Sequence, residues 1–443
     1  MSNRDQFASK IGFILAAAGS AIGLGAIWKF PYMAGTNGGS VFILLFIICT
    51  LFIGLPILVA EFMIGRRGQT DAVSSFKKQA PGTRWFLTGW AGFILSAIIL
   101  SFYSVVGGWI LSYIVRAISF QLSGSGEDYY GELFASITSN PWEVVIAQAV
   151  FLFLTVWIVQ GGVKNGIEKA SKWMMPLLFI FFIVLVIRSL TLDGAIEGIK
   201  FMFVPDWSYF TGKTLLMALG QAFFSLSVGV SAMLTYASYL SKETKIGSSA
   251  MNVAWMNIGI SLLAGLVIFP AVFALGYSPD QGPGLVFIII PAVFQQIPFG
   301  SVFMIIFFIL LLFATVTSAI AMLEIVVATA MGPKYDKRKQ YSWLCGFGIF
   351  IVGIPSALSF GALSDIKIFG LSIFDSADFL TNNIGMPIGA LLVAIFSGYK
   401  ISKADAAAEL NTKDWIFQTW RILVRFVAPI AIIIVFIQSV FFR

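Results

Sequence analysis

A chain of 443 residues that is 58% hydrophobic, 15% aromatic and only 11% charged is far more apolar than a soluble domain, which averages roughly 45–50% apolar and about 25% charged. The net charge of +7 comes from basic residues scattered among loops between apolar runs, not from the basic stripe that nucleic-acid binding needs. There is no histidine, and the two cysteines, Cys49 and Cys345, lie inside apolar runs without metal-like spacing. His-dependent hydrolases and zinc deaminases are therefore excluded, and the thiols read as small hydrophobes.

The polar start, Met1 to Lys10, lacks the short apolar core and cleavage site of a removable signal. Beyond it, apolar runs alternate with short polar loops to the end, each run near the about 20 residues needed to cross about 30 Å of hydrocarbon. Spans are predicted over 11–35, 39–65, 86–118, 142–160, 170–190, 213–239, 248–276, 300–331, 341–358, 372–398 and 420–441, eleven in all. The fold class is an all-α polytopic membrane protein. With the N-terminus cytoplasmic, the inner segments hold 20 of the 28 Lys and Arg residues, as the positive-inside rule demands. Glu127, Asp128, Glu132, Asp193, Glu197 and Asp206 then fall outside, and an odd helix count puts Arg443 outside as well. Between the seventh and eighth spans, Leu285 to Pro298 is apolar but too short to cross and is interrupted by Pro291. It reads either as a lid-like helical hairpin in the outer vestibule or as an amphipathic loop, and Gly282-Pro283-Gly284 marks a turn in both cases.

Two spans carry internal weak points. The first places Gly19, Gly23 and Gly25 within seven residues at mid-membrane, and each glycine weakens a helix by about 1 kcal/mol. The sixth carries Ser225-Leu226-Ser227-Val228-Gly229-Val230-Ser231. Either segment alone reads equally well as a close-packing seam. Their positions tip the balance, because they are the first helices of spans 1–5 and 6–10, corresponding members of two five-helix repeats. Unwound backbone at that depth is tolerated only if it is buried in protein or lines a watery cavity, where freed carbonyls can hold a cation and N–H groups an anion. The eighth span adds Ala314-Thr315-Val316-Thr317-Ser318, and the Ala314 carbonyl with the Thr317 and Ser318 hydroxyls can converge as hard oxygen donors. Hydroxyls in such helices also bond simply to the preceding turn.

The run Gly19-Ser20-Ala21-Ile22-Gly23-Leu24-Gly25-Ala26-Ile27-Trp28-Lys29-Phe30-Pro31-Tyr32, with Asn37-Gly38-Gly39, Gly54-Leu55-Pro56-Ile57, Glu61 and Gly65-Arg66, resembles the neurotransmitter:sodium symporters. The resemblance covers nearly the whole chain and is nearest to the eleven-helix bacterial transporters of the multi-hydrophobic amino-acid type. It implies a 5+5 inverted repeat with helices 1 and 6 broken, in one transmembrane domain over 1–443. Repeat one runs from about 7 to 190, repeat two from about 213 to 398, and an additional helix over about 420–441.

The same resemblance implies a sodium site from the carbonyls of Gly19, Ile22 and Ala314 with the hydroxyls of Thr317 and Ser318. A second sodium would use the Ala21 carbonyl, Ser225, Asn257 and the substrate's carboxylate. Ala26 stands where the family usually has asparagine, so that site lacks one side-chain oxygen; Ser20 and Ser227 are the hydroxyls nearby. Substrate would lie among Ala21, Gly23, Gly25, Phe224, Ser225, Ser227 and Val230 under Tyr103, with Ile99, Ser318 and Met322 shaping the side-chain subsite. Amine-transporting relatives carry aspartate at Gly23, so glycine implies an amino acid that brings its own carboxylate. Apolar surroundings favour a hydrophobic side chain, and Val230 and the flexible Met322 suit several sizes.

Lys29 and Asp378 resemble the outer gate pair, and Arg4, Phe7, Ser238 and Tyr239 the inner latch. The latch's usual acid is replaced by Gly332, with Asp336 the nearby substitute or merely a solvated loop residue. Gly166 and Pro176, with nine residues between them, resemble the fifth-helix signature for unwinding; the bland alternative is an ordinary helix beginning shortly before a kink at Pro176. Glu61 and Glu324 lie inside predicted spans and serve either proton antiport or the N–H groups freed by the breaks. Chloride is left open, because Ser261 stands where chloride-independent relatives can carry glutamate and Phe46 where a chloride site has tyrosine. The implied function is sodium-coupled import of hydrophobic L-amino acids by alternating access, with membrane lipid and the amino acid as partners. A sodium-independent exchanger of the same fold and a non-transporting amino-acid sensor are the rivals. An enzyme has no constellation to support it.

Overall fold

The computed structural model describes residues 5–122, 124, 126–279 and 284–441. Arg4 and Arg443, and Gly282-Pro283 of the expected turn, lie outside the described residues. Among the described residues every regular element is helical, apart from one isolated bridge between Ile368 and Leu371.

The first span is a bent pair, α1 (Lys10–Ala21) and α2 (Gly25–Thr36), angled by 53°. Ser9 starts α1 by accepting the Gly12 N–H at 3.0 Å, a side-chain cap for one of the donors a helix start leaves unpaired. Then follow α3 (Ser40–Gly68), α4 (Phe86–Ile118), α5 (Pro141–Val159) and α6 (Val163–Leu190). Asn140 caps α5 through the Trp142 and Glu143 amides. The sixth expected span is two short helices, α7 (Gly212–Ser225) and α8 (Ala232–Ala237). Next come α9 (Ile246–Ala274), the short apolar α10 (Leu285–Gln295), α11 (Gly300–Met331), α12 (Tyr335–Phe360), α13 (Ile373–Lys400) and α14 (Asp414–Phe441).

By length and apolarity, nine continuous helices among the described residues are able to cross a membrane, and the α1/α2 pair makes a tenth. The expected eleventh, 213–239, is α7 and α8, each too short to span alone. Observed bounds agree with those expected to within a few residues, except that α6 begins at Val163, α12 at Tyr335 and α14 at Asp414, each several residues early. The first turn of α6, Val163–Glu168, is π-helical, a wide turn that apolar periodicity does not report.

The broken helices lie at the centre. Phe13, Ile22, Ile27 and Phe30 of the first span are fully buried, as are Leu226 and Val228 between α7 and α8. The long α4 and α11 pack against each other beside them, while α6, α12 and α14 keep most of their apolar surface uncovered by protein, as lipid-facing helices do. The segment expected to be a lid or a loop is one helix, α10. Its Phe287 carbonyl accepts the Tyr113 hydroxyl at 2.8 Å, and its Phe287 ring stacks on Phe134 at 5.2 Å.

Candidate functional site

Between Ala21 and Gly25 the backbone leaves the helix, and between Ser225 and Ala232 it passes through left-handed conformations at Ser227, Gly229 and Ser231. Glycine is needed at 229, where φ is +91° and a Cβ would lie 2.3 Å from the Met386 carbonyl oxygen. Glu61, fully buried on α3, holds this turn by accepting the Gly229 N–H at 2.6 Å and the Leu234 N–H at 3.2 Å. Its carboxylate replaces the helical carbonyls that the break removes.

The two breaks enclose a cavity of about 60 Å³. Ten of the eleven expected substrate residues line it: Ala21, Gly23, Gly25, Ile99, Tyr103, Phe224, Ser227, Val230, Ser318 and Met322. Ser225 does not; its hydroxyl turns away to Asn257 at 2.7 Å. Ser20, expected only as a hydroxyl near the second sodium, also lines the cavity, as do Leu24, Phe102, Ala232 and Met386; these last four were missed, because apolar positions give no local sign of facing a pocket instead of lipid. Tyr103 reaches across from α4, its hydroxyl accepting the Leu24 N–H at 3.2 Å. A Cβ at Gly23 would lie 2.3 Å from the Ser318 hydroxyl oxygen and 2.7 Å from that of Tyr103, so a side chain there would displace both. Gly25 is similarly roofed, with the Phe224 ring 2.9 Å from where a Cβ would stand.

Above this cavity lies a vestibule of about 280 Å³ that shares Leu24, Phe102, Tyr103 and Phe224 with it. Lys29 and Asp378 line the vestibule without forming the expected ion pair. The Lys29 ammonium sits 4.2 Å from the centre of the Phe224 ring, a cation–π contact, and Asp378 accepts the Asn382 amide at 2.5 Å. Lysine's single charged point on a flexible stem makes such repartnering easy.

Two clusters of neutral oxygens flank the inner cavity. In the first, the Ser318 hydroxyl donates to the carbonyls of Gly19 and Ser20 at 3.1 and 3.0 Å. The Thr317 hydroxyl donates to those of Phe313 and Ala314, both at 3.0 Å. Each hydroxyl keeps lone pairs beyond the proton it donates. A Cβ at Gly19 would stand only 3.0 Å from the Thr317 Cβ, so α1 and α11 touch here. Ile22 is buried beside them with its N–H on the Ala18 carbonyl at 2.7 Å. In the second cluster, Asn257 on α9 donates to the Ala21 carbonyl at 3.2 Å and the Ser225 carbonyl at 2.9 Å, and accepts the Ser225 hydroxyl. Ala26 is buried without a side-chain polar atom to offer, and the Ser227 hydroxyl donates to the Ser20 carbonyl at 3.0 Å. Sequence reasoning also missed Gln221, whose amide donates to the Gly25 carbonyl at 2.7 Å; a glutamine inside an apolar span was the available signal. These donor sets are hard, neutral oxygens. Among the described residues there is no group of three or more His, Cys, Asp or Glu side chains placed to hold a metal. Ser261 spends its hydroxyl on the Asn257 carbonyl at 3.0 Å, and the Phe46 ring packs on Phe30.

On the opposite side the chain is tied shut. Phe7 packs edge-on against Phe13, Tyr236 and Tyr239, with its N–H on the Tyr239 carbonyl at 3.3 Å. Asp336, the substitute acid expected for the latch, is exposed in the first turn of α12, whereas Glu324 is buried in this region. Fully buried Glu324 accepts the Tyr239 hydroxyl at 2.5 Å and pairs with Arg338, which also holds the Val159 carbonyl at 2.9 Å. Pairing with a guanidinium is what makes a carboxylate tolerable there. Gly166 lies in the π-helical start of α6 and Pro176 inside the helix that continues it. Asp5 accepts the Val163 N–H at 2.6 Å, and Glu168 accepts the Ala8 N–H at 2.6 Å and the Ser9 hydroxyl at 2.9 Å.

A family model described as the sodium:neurotransmitter symporter family matches residues 4–132 and 132–442. The chain is similar to the uncharacterized sodium-dependent transporter YhdH of Bacillus subtilis (strain 168), 54% identical over 98% of this chain and 97% of that one. An uncharacterized sodium-dependent transporter of Haemophilus influenzae (strain ATCC 51907 / DSM 11121 / KW20 / Rd) is 36% identical over 99% of this chain and 98% of its own length. Among solved structures, that of MhsT in complex with L-phenylalanine superposes with a TM-score of 0.92 at 46% identity, covering 99% of this chain and 100% of that one. The chain therefore belongs to the sodium:neurotransmitter symporter family and is an integral-membrane, sodium-dependent transporter with broken first and sixth helices, not an enzyme.

Proposed function

We propose that the chain imports hydrophobic L-amino acids, aliphatic or aromatic, with sodium as co-substrate, by alternating access. The observation that carries this reading is the cavity between the two breaks, apolar on most of its lining and without room for a side chain at Gly23. A substrate there supplies its own carboxylate, next to the Tyr103 hydroxyl and the N–H groups of the first break. The side chain lies among Ile99, Phe102, Val230, Met322 and Met386. The structural likeness to MhsT in complex with L-phenylalanine supports the same class of substrate.

Sodium is carried at two places in this reading. One is formed by the carbonyls of Gly19, Ile22 and Ala314 with Thr317 and Ser318. The other is formed by the Ala21 carbonyl, Ser225 and Asn257, completed by the substrate carboxylate, with Ser20 and Ser227 beside it in place of a side-chain oxygen at Ala26. Residues from about 7 to 190 and from about 213 to 398 act as the two inverted repeats, with α14 outside them. Lys29 and Asp378 close the vestibule by pairing once substrate has bound. Phe7, Tyr239, Glu324 and Arg338 hold the cytoplasmic side, with Arg4 just ahead of them in sequence. Loosening of α6 between Gly166 and Pro176 lets water reach the Thr317 and Ser318 oxygens. The N-terminus is cytoplasmic and the C-terminus outside, by the distribution of basic residues.

The test is uptake of labelled tryptophan and leucine into proteoliposomes with sodium outside, against potassium as control. Accumulation that needs the sodium gradient is expected, with small polar amino acids competing poorly. Equal exchange without sodium, or binding without flux, overturns the coupling.

A further inference from the structure

Where α5 turns into α6 the helix bundle carries a wide, open groove of about 540 Å³. Its floor is close-packed backbone. A Cβ at Gly166 would lie 2.1 Å from the Ile158 carbonyl oxygen, and Gly162 takes a φ of +86° to make the corner. Its walls include Trp157 and Trp173, 61% and 63% exposed, on two helices that keep much of their apolar surface uncovered by protein. Trp157 lies two residues from the end of α5, and an indole left bare at the end of a membrane helix belongs at the membrane–water boundary. Trp343 of α12 stands alongside, its indole N–H on the Gln160 side chain at 2.9 Å.

The charged side chain in the lining of this groove is basic. Lys169 lines it and Lys164, also exposed, stands on the same turn. Neither lysine has an ion-pair partner among the described residues. The nearby carboxylates are already engaged: Asp5 by the Val163 N–H, and Glu168 by Ala8, Ser9 and the Lys172 ammonium at 2.6 Å. An apolar trough with indole walls and two lysines that form no ion pair among the described residues matches one kind of molecule, an amphiphile with an anionic head. A free inorganic anion would leave the walls unused.

We propose that this groove docks one anionic phospholipid, its phosphate held by Lys164 and Lys169 and its acyl chains lying along Trp157 and Trp173. The lipid bridges α5 and α6 across the glycine corner. This site is separate from the substrate cavity and the oxygen clusters, and its test reads lipid binding, not transport.

The full-length protein, stripped of lipid in detergent, is titrated with phosphatidylglycerol and with phosphatidylcholine, and retained lipid is counted by native mass spectrometry. Phosphatidylglycerol is expected to bind more tightly. The Lys164→Gln/Lys169→Gln variant is expected to weaken it about thirty-fold, near five-fold per lysine, which is the usual contribution of a basic side chain at an anionic membrane surface. The Lys77→Gln/Lys403→Gln variant, which removes the same charge from other exposed sites, is expected to leave binding unchanged. In the unsubstituted protein, a photoreactive phosphatidylglycerol is expected to label the 157–173 region. Equal affinity for the two lipids, an equal loss in the control variant, displacement by millimolar inorganic phosphate, or labelling only elsewhere overturns the proposal.

Discussion

The Thr317 hydroxyl donates its proton back to the preceding turn, to Phe313 and Ala314, which leaves its lone pairs as its only means of binding a cation. Thr317→Val keeps the shape and removes only that oxygen. If Thr317 helps carry sodium, the sodium concentration for half-maximal substrate binding should rise about ten-fold, the scale of one lost bond to a charged group at about 1.5 kcal/mol, with little change in thermal stability. Equilibrium binding of labelled substrate against sodium checks this, and an unchanged midpoint removes Thr317 from the site. The hydroxyls and glycines of this region were legible in the sequence because they are out of place in an apolar helix. The partners of charged groups were not. Lys29 lies over Phe224 instead of against Asp378, and which aromatic face or amide lies nearest is decided by three helices at once, not by any local pattern.

At the scale of elements, the broken sixth span depends on a residue far away in sequence. Glu61 supplies acceptors for two N–H groups, at Gly229 and Leu234, that have lost their helical carbonyls. Glu61→Gln keeps the volume but turns one acceptor into a donor facing an N–H. A destabilisation of about 1–3 kcal/mol is expected from the amide left unsatisfied, read as a lowered unfolding temperature together with weakened substrate binding, because the Ser227–Val230 wall of the cavity hangs from this turn. Unaltered melting and binding would show that water or neighbouring groups satisfy these amides equally well. The existence of the two breaks could be inferred from small-residue clusters at matching positions of the two repeats. The splint that holds the second break could not, since Glu61 and Gly229 are 168 residues apart and only the packing of α3 against α8 joins them. The π-helical start of α6 was invisible for a related reason: Val163 to Glu168 has neither the length nor the periodicity of a span, and it is ordered through contacts from the N-terminal segment.

Those contacts set a condition on the molecule as a whole. Alternating access requires the side sealed by Phe7, Tyr239, Glu324 and Arg338 to open, and the N-terminal segment is fastened at two further points, Asp5 to Val163 and Glu168 to Ala8 and Ser9. Glu168 is wedged against α1 so closely that a Cβ at Gly12 would lie 2.0 Å from its carboxylate oxygen. Its carboxylate therefore joins the first helix of the bundle to the corner where α6 begins. Removing its charge with Glu168→Gln weakens the bonds to the Ala8 amide, the Ser9 hydroxyl and Lys172 together, without touching the substrate cavity or either oxygen cluster. If this junction limits inward opening, amide hydrogen exchange should accelerate about ten-fold in residues 8–13 and 163–168, the scale of one charge-assisted bond, while α11 keeps its protection. Faster exchange in both segments at once would mean that they open as one unit. Acceleration confined to residues 8–13 would make Glu168 a local cap of the first helix, and the resistance to opening would then rest on Glu324 and Arg338.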